Sequence, residues 1–224
     1  MKEKLLKVLK WFLDSYIWLF IILLALDIVT KNIIVHYGPQ LTNQPVVLIP
    51  GFLRISYTIN QNVAFGMSLG SPLANRIVFS IVALLVSVGI IVYMVLKWGK
   101  LRKLYRAIMM MILVGAIGNV IDRIFYTATY LNAGGAQGVV DWIDFYGVWK
   151  FNFNIADSSV VIAAFMMIIT MIVLEIKDYK ERKAKQVKTE AKVEGEKPAK
   201  VKEEKVLSKT EQEKQKLLED DRAK

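Results

Sequence analysis

Apolar residues run almost unbroken through four stretches of the chain, 16–35, 77–96, 107–121 and 160–176. A hydrocarbon core about 30 Å thick takes about 20 helical residues to cross. Lipid offers no partner for backbone groups, so each stretch reads as a transmembrane helix. The first is interrupted by Asp27 and Lys31, and the second carries no charge. The third is short and ends at Asn119, Asp122 and Arg123, and the fourth is entered through Asp157, Ser158 and Ser159. Ahead of the fourth, Trp149, Phe151 and Phe153 alternate with Lys150, Asn152 and Asn154. This period of two predicts an aromatic hairpin that turns at Gly147 and lies at the membrane interface.

Charge changes the picture by giving the helices a direction. Lys2, Lys4, Lys7 and Lys10 precede the first helix, Lys97, Lys100, Arg102, Lys103 and Arg106 join the second to the third, and Lys177, Lys180, Arg182, Lys183 and Lys185 follow the fourth. The other two connections, 38–75 and 126–156, are poor in such residues. The positive-inside rule then predicts both termini in the cytoplasm and these two loops outside. The expected fold class is an all-α membrane protein of four transmembrane helices, with residues 1–178 as the membrane domain. Residues 179–224, rich in Lys and Glu, read as a charged cytoplasmic tail without a packed core. The opening lysines also resemble the n-region of a signal peptide, but Asp27 interrupts the apolar run and no small-x-small cleavage site follows it. The net charge of +10 is explained by attraction to anionic membrane lipids; no nucleic-acid partner is expected.

Composition narrows the chemistry. The 224 residues include no cysteine and a single histidine, His36. This argues against thiol nucleophiles, Cys-based zinc sites, His-Glu-x-x-His zinc proteases and triads built on an inner histidine. No metal and no cofactor is expected. Charged groups inside membrane helices are costly and point to function, and here Asp27, Asp122, Asp141, Asp144 and Asp157 all fall toward the predicted outer side. Asp27 and Lys31 stand at i,i+4 and suit a local ion pair, with Lys31 reaching for the headgroups. Gly115, Asn119 and Asp122 share a helix face, and Gly115 and Gly118 suit close helix packing. Arg123 beside Asp122 suits a cation that holds a carboxylate ionised. Asp157 reads as the N-cap of the fourth helix. Two carboxyls in a poorly hydrated place share one proton, which equips one as acid and the other as a base toward water.

Five blocks, in order, resemble the lipoprotein signal peptidase (signal peptidase II) family of intramembrane aspartic proteases. They are Asp27-Ile28-Val29-Thr30-Lys31, Asn60-Gln61-Asn62-Val63-Ala64-Phe65, Gly118-Asn119-Val120-Ile121-Asp122-Arg123, Val139-Val140-Asp141-Trp142-Ile143 and Phe153-Asn154-Ile155-Ala156-Asp157-Ser158-Ser159. The resemblance covers about residues 14 to 178. It implies an endopeptidase of the bacterial plasma membrane, acting toward the outer leaflet as a monomer, that removes signal peptides from diacylglyceryl-prolipoproteins just before the lipidated cysteine. It implies Asp141 and Asp157 as the catalytic pair, with nearby Asp144 the rival for the first role. Asn60, Asn119 and Asn154 would orient substrate and aspartates, and Asp27, Asp122 and Arg123 would support them. It also implies a small extracytoplasmic β-platform over 46–65, covered by the segment around Trp149.

Two departures from the family pattern stand out. Asn62-Val63 replaces the usual Gly-Ala, and the seventeen residues 124–140 exceed the family's spacing by about ten. Three other readings remain at this level. One is a small proton-coupled transporter with Asp27, Asp122 and Asp157 as its relay. Another is a Ser-Lys protease using Lys31 or Lys150 with Ser56, Ser68 or Ser158. The third is a scaffold whose charged tail recruits cytoplasmic partners.

Overall fold

The computed structural model describes residues 2–61, 70–126, 138–186 and 189. The chain divides into two compact units, Met1–Ile168 and Ile169–Lys224, and the first holds the features described below. Among the described residues four helices are long and apolar enough to cross a membrane. They are α2 (Ile17–His36), α4 (Pro72–Lys97) extended by a 3-10 turn (Trp98–Lys100), α5 (Lys103–Ile121) and α6 (Ile155–Gln186). Half of the α5 span is buried, against 17% of each of the other three, so α5 is the central helix and its neighbours turn large apolar side chains outward. One cluster centres on Ile108, Met111 and Ala163 with Leu19 and Leu23, another on Met94, Met110 and Leu113 with Ile17 and Phe20.

Three helices run past their expected ends, α4 by starting at Pro72 rather than at 77. α5 begins four residues early and continues as one π-helical turn, Asp122–Tyr126, because its polar end is paired internally rather than exposed to lipid. α6 begins at Ile155, so Asp157 is not its N-cap. Asn154 caps it instead, and Asp157 is the third residue of its first turn. The expected division at residue 178 falls within α6, and the residues after 189 lie outside the described part, as do Asn62 to Ser68 and the insertion over 127–137.

A further helix, α1 (Lys2–Ser15), precedes the spans. It ends at a built corner. Tyr16 adopts a left-handed conformation, φ 61°, the Ser15 hydroxyl donates to Phe12 O at 2.6 Å and accepts from Ile17 N at 3.1 Å, and Trp18 Nε1 donates to Leu13 O at 3.1 Å. These bonds serve carbonyls at one helix end and an amide at the next start, groups a break would otherwise orphan.

The connections between α2 and α4 and between α5 and α6 build a four-stranded antiparallel sheet in the order β1-β2-β3-β4: β1 (Val46–Ile49), β2 (Leu53–Asn60), β3 (Val139–Asp144) and β4 (Asn152–Phe153). The short helix α3 (Gly38–Asn43) leads into it from α2. Gly51 and Gly147, at φ 72° and 80°, take the left-handed turn positions that side chains resist. The expected hairpin therefore exists, with Ile143 opposite Phe153 and Asp144 opposite Asn152. Its returning strand is only two residues long; Trp149 to Phe151 lie in the connection. Long-range pairing of β2 with β3, Asn60 opposite Val139 and Thr58 opposite Asp141, places Asn60 beside the aspartate.

Candidate active site

Asp27, at the middle of α2, sits wholly buried. Lys31 one turn on places its Nζ 2.6 Å from Asp27 Oδ2, 3.1 Å from Asp122 Oδ2 and 3.2 Å from Asn119 Oδ1. The local pair expected from i,i+4 spacing is present, but Lys31 is 1% exposed and reaches inward, not to the headgroups. It ties α2 to α5. Asp27 Oδ1 accepts from Ala156 N at 2.9 Å, so a carboxylate of α2 meets the positive start of α6, where anions are favoured. Asp122 Oδ2 also accepts from Val140 N at 3.1 Å, which fastens β3 to the end of α5. Removing one partner from such a buried charge pair leaves an uncompensated ion and costs about 3–5 kcal/mol.

Glycines make this junction narrow. A Cβ at Gly118 would stand 2.7 Å from Asp27 Oδ2 and 3.0 Å from the Ala156 Cβ, and one at Gly115 would overlap the Val160 side chain. The packing role assigned to both from the sequence is what brings α5 against α6.

Asn119 then passes the arrangement on. With Oδ1 held by Lys31, its Nδ2 donates to Asp157 Oδ1 at 2.7 Å. Asn154 caps α6 reciprocally: its Oδ1 accepts from Asp157 N at 2.8 Å, and its own N donates to Asp157 Oδ2 at 3.2 Å, a capping box. The Asn154 Nδ2 reaches Asp141 Oδ1 at 2.8 Å and Asn119 Oδ1 at 3.1 Å. Asn60 Nδ2 donates to Asp141 Oδ2 at 2.9 Å. All eight side chains singled out from the sequence except Arg123 thus join one bonded network through Lys31. Arg123 donates to Asn119 O at 3.1 Å and lines the same cavity.

That cavity, about 360 Å³, is lined by Asp141, Asp157, Asn60, Asn119 and Arg123 on its polar side and by Phe79, Val86, Ile112 and Val160 among its apolar walls. Burial pushes the Asp141 carboxyl well above the ordinary carboxylate range, and the nearby negative charge of Asp157 pushes it the same way. The bonds from Asn60 and Asn154 oppose both. Asp141 therefore keeps a proton at a pH where a solvated aspartate has lost its own.

Asp144 faces a different space. Its Oδ2 accepts from Arg54 Nε at 2.6 Å, and it lines a separate cavity of about 390 Å³ with Arg54, Tyr57, Tyr146, Trp149 and Lys150. Sequence reasoning left Lys31 out of the site, although its spacing from Asp27 was a usable signal. It also missed Asn75 of α4, 2% exposed, whose Nδ2 donates to Gln61 O at 3.1 Å beside Asn60. Nothing in the apolar pattern of α4 marks that residue.

The fold and a buried cluster of carboxyls and amides meet known proteins at this point. A family profile described as Signal peptidase (SPase) II matches residues 19–173. The chain is 35% identical over 157 residues to a lipoprotein signal peptidase of Fusobacterium nucleatum, covering 69% of this chain and 84% of the relative. It is 34% identical over 168 residues to a lipoprotein signal peptidase of Desulfitobacterium hafniense, covering 75% and 97%. Among solved structures, a bacterial membrane enzyme determined by the in meso method at 2.3 Å resolution shares the fold, with a TM-score of 0.53 at 24% identity over 70% of this chain and 89% of that one. The class is that of membrane-embedded aspartic peptidases in bacteria. Within it, the chain belongs to the signal peptidase II family. The transporter and Ser-Lys readings give way to that membership.

Proposed function

We propose that this chain is the endopeptidase that removes signal peptides from diacylglyceryl-modified bacterial prolipoproteins, cutting just before the lipidated cysteine, with Asp141 and Asp157 as its catalytic pair. One observation carries the reading: aspartates from β3 and from the first turn of α6 are joined through Asn154 and line one cavity. The relatives' names support the substrate class.

The mechanism follows from one proton shared by two carboxyls. Asp141, held protonated by burial and by its neighbour's charge, is the acid. Asp157, accepting from Asn119 Nδ2 and Asn154 N, is the base. Asp157 takes a proton from water as the oxygen attacks the scissile carbonyl, and Asp141 gives its proton to the carbonyl oxygen. The resulting gem-diol returns a proton to Asp141 as the C–N bond breaks, and Asp157 delivers its proton to the leaving nitrogen. Both carboxyls end as they began. Asn60 and Asn119, with Asn154, hold the acid and base in register, and Asp27, Asp122 and Arg123 hold the amides. The apolar walls suit a signal-peptide segment entering from lipid with its acyl chains left in the bilayer.

The distribution of lysine and arginine favours cytoplasmic termini and a site facing the outer leaflet. The protein is taken to act as a monomer. The test uses purified protein, a diacylglyceryl-modified prolipoprotein and a gel-shift readout. Asp141→Asn and Asp157→Asn should each abolish cleavage while the protein still inserts and melts as the parent does. A folded variant of either kind that keeps normal cleavage overturns the assignment.

A further inference from the structure

The α1 helix is inside out by the standards of a soluble protein. Lys4, Lys7, Trp11 and Asp14, spaced three and four apart, lie on one face; its C-terminal part, Trp11 and Asp14, meets the bundle, while Lys4 and Lys7 are exposed. Asp14 Oδ1 accepts from Lys103 Nζ at 2.6 Å, Asp14 O accepts from Arg106 at 3.1 Å, and the Trp11 and Trp98 rings stand 6.1 Å apart. The Lys103 ammonium holds the Asp14 carboxyl below the usual carboxylate range. The opposite face carries Leu5, Leu9 and Leu13 with Leu6 and Val8, all at least half exposed. A helix with exposed lysines along one face and uncovered leucines along the other suits the boundary between headgroups and acyl chains. The corner at Tyr16 keeps it from continuing α2 straight out of the membrane.

Beneath this helix an apolar cavity of about 360 Å³ is lined by Trp11, Ile17, Val95, Trp98, Met110 and Leu113. The turn that Trp98 opens carries cations: Lys97, Lys100 and Arg102 are all exposed there. Arg106 stacks over the Trp98 ring at 4.4 Å and donates to Trp98 O at 2.9 Å, which fixes that wall. Tryptophans at headgroup depth, lysines above them and a hydrocarbon slot below match an amphiphile with a negative head.

We propose that α1 and the α4–α5 turn form a binding site for an anionic phospholipid, its headgroup on Lys97, Lys100 and Arg102 and an acyl chain in the cavity against Trp11 and Trp98. The site lies on the bundle end opposite the aspartates in sequence order along α4 and α5, and its occupancy requires no cleavage. Failure here and failure of the peptidase reading are therefore separate results.

The experiment is native mass spectrometry of the full chain titrated with phosphatidylglycerol or phosphatidylcholine, alongside cleavage in zwitterionic detergent. The parent should retain phosphatidylglycerol at least tenfold better. Lys97→Gln, Lys100→Gln and Arg102→Gln together should erase that preference, with about a fivefold loss per charge, and leave detergent cleavage unchanged. Val95→Trp, at a residue open to the outside, fills the slot and should reduce retention of both lipids while the charges remain. Equal retention of the two lipids by the parent overturns the proposal. So does a triple variant that keeps the preference, or competition by soluble glycerophosphoglycerol at equal concentration, which would leave the acyl chain no part.

Discussion

Asp141 and Asp144 stand three positions apart on β3, and strand alternation sends their side chains to opposite faces of the sheet. Both are nearly buried, 2% and 5% exposed, and both are satisfied by hydrogen bonds. Their partners differ. Asp144 meets the charged, part-exposed Arg54 in a surface cavity, whereas Asp141 meets the neutral amides of Asn60 and Asn154 and the charge of Asp157. A cation neutralises a carboxylate and leaves it chemically idle. Amides orient the carboxyl and favour its anion, but burial first and the neighbouring carboxylate second outweigh them. The contrast supports the acid role proposed for Asp141: its direct hydrogen-bond donors are amides, while the cations Lys31 and Arg123 act on it only from a distance.

The contrast breaks most sharply in activity. Asp141→Asn should lower the cleavage rate by about 10³-fold, within the range for loss of a positioned acid or base, while Asp144→Asn keeps it within about threefold. Rates from the same prolipoprotein assay decide it, and a reversed order would exchange their roles. Next in size is the cation that is kept one step away. Lys31→Met leaves Asp27 and Asp122 buried without their partner and should cost about 3–5 kcal/mol in unfolding, read as a large fall in melting temperature in detergent.

Finer still is the proton itself. Asn60 donates to Asp141 and so favours the anion; without it the carboxyl holds its proton to higher pH. Asn60→Ala should move the alkaline limb of the pH–rate profile upward, the limb belonging to the coupled pair. A downward shift would mean that Asn60 does not act through Asp141. The same raised affinity gives the fold a pH dependence. Stability from a protonated Asp141 is fully present below the ordinary carboxylate range and is lost as pH rises through its folded value. Smallest is Arg54→Ala, which removes a part-exposed ion pair and should change stability by no more than about 1 kcal/mol, with cleavage nearly unaffected.

Much of this was legible because lipid makes the code severe. An apolar run of 20 residues has one solution, and an aspartate in or beside it asks for a partner, so the four spans and the positions of Asp27, Asp122 and Asp157 could be read directly, whereas the choice of Asp141 over Asp144 rests on the resemblance of Val139-Val140-Asp141 to the family block. What hid was local. The α1 helix was read through its lysines as a topological marker, since no Gly or Pro announces the corner at Ser15 and Tyr16. Asp157 looked like a cap because polar residues gather there, yet the cap fell to Asn154, whose amide serves the site as well. Lys31 looked like a snorkelling residue because its true partners, Asp122 and Asn119, lie 88 or more residues away.

The sharing of Asn154 between helix start and carboxyl pair has a consequence for how this chain tolerates length changes. One inserted residue between Phe153 and Asp157 would swing the aspartate about 100° around the α6 axis and aim it into helix or lipid. The same insertion among Tyr146 to Lys150 would only lengthen a surface turn. Spacing within five residues is thus as strict a requirement as the identity of the acids, whereas the turn between β3 and β4 is open to variation in length.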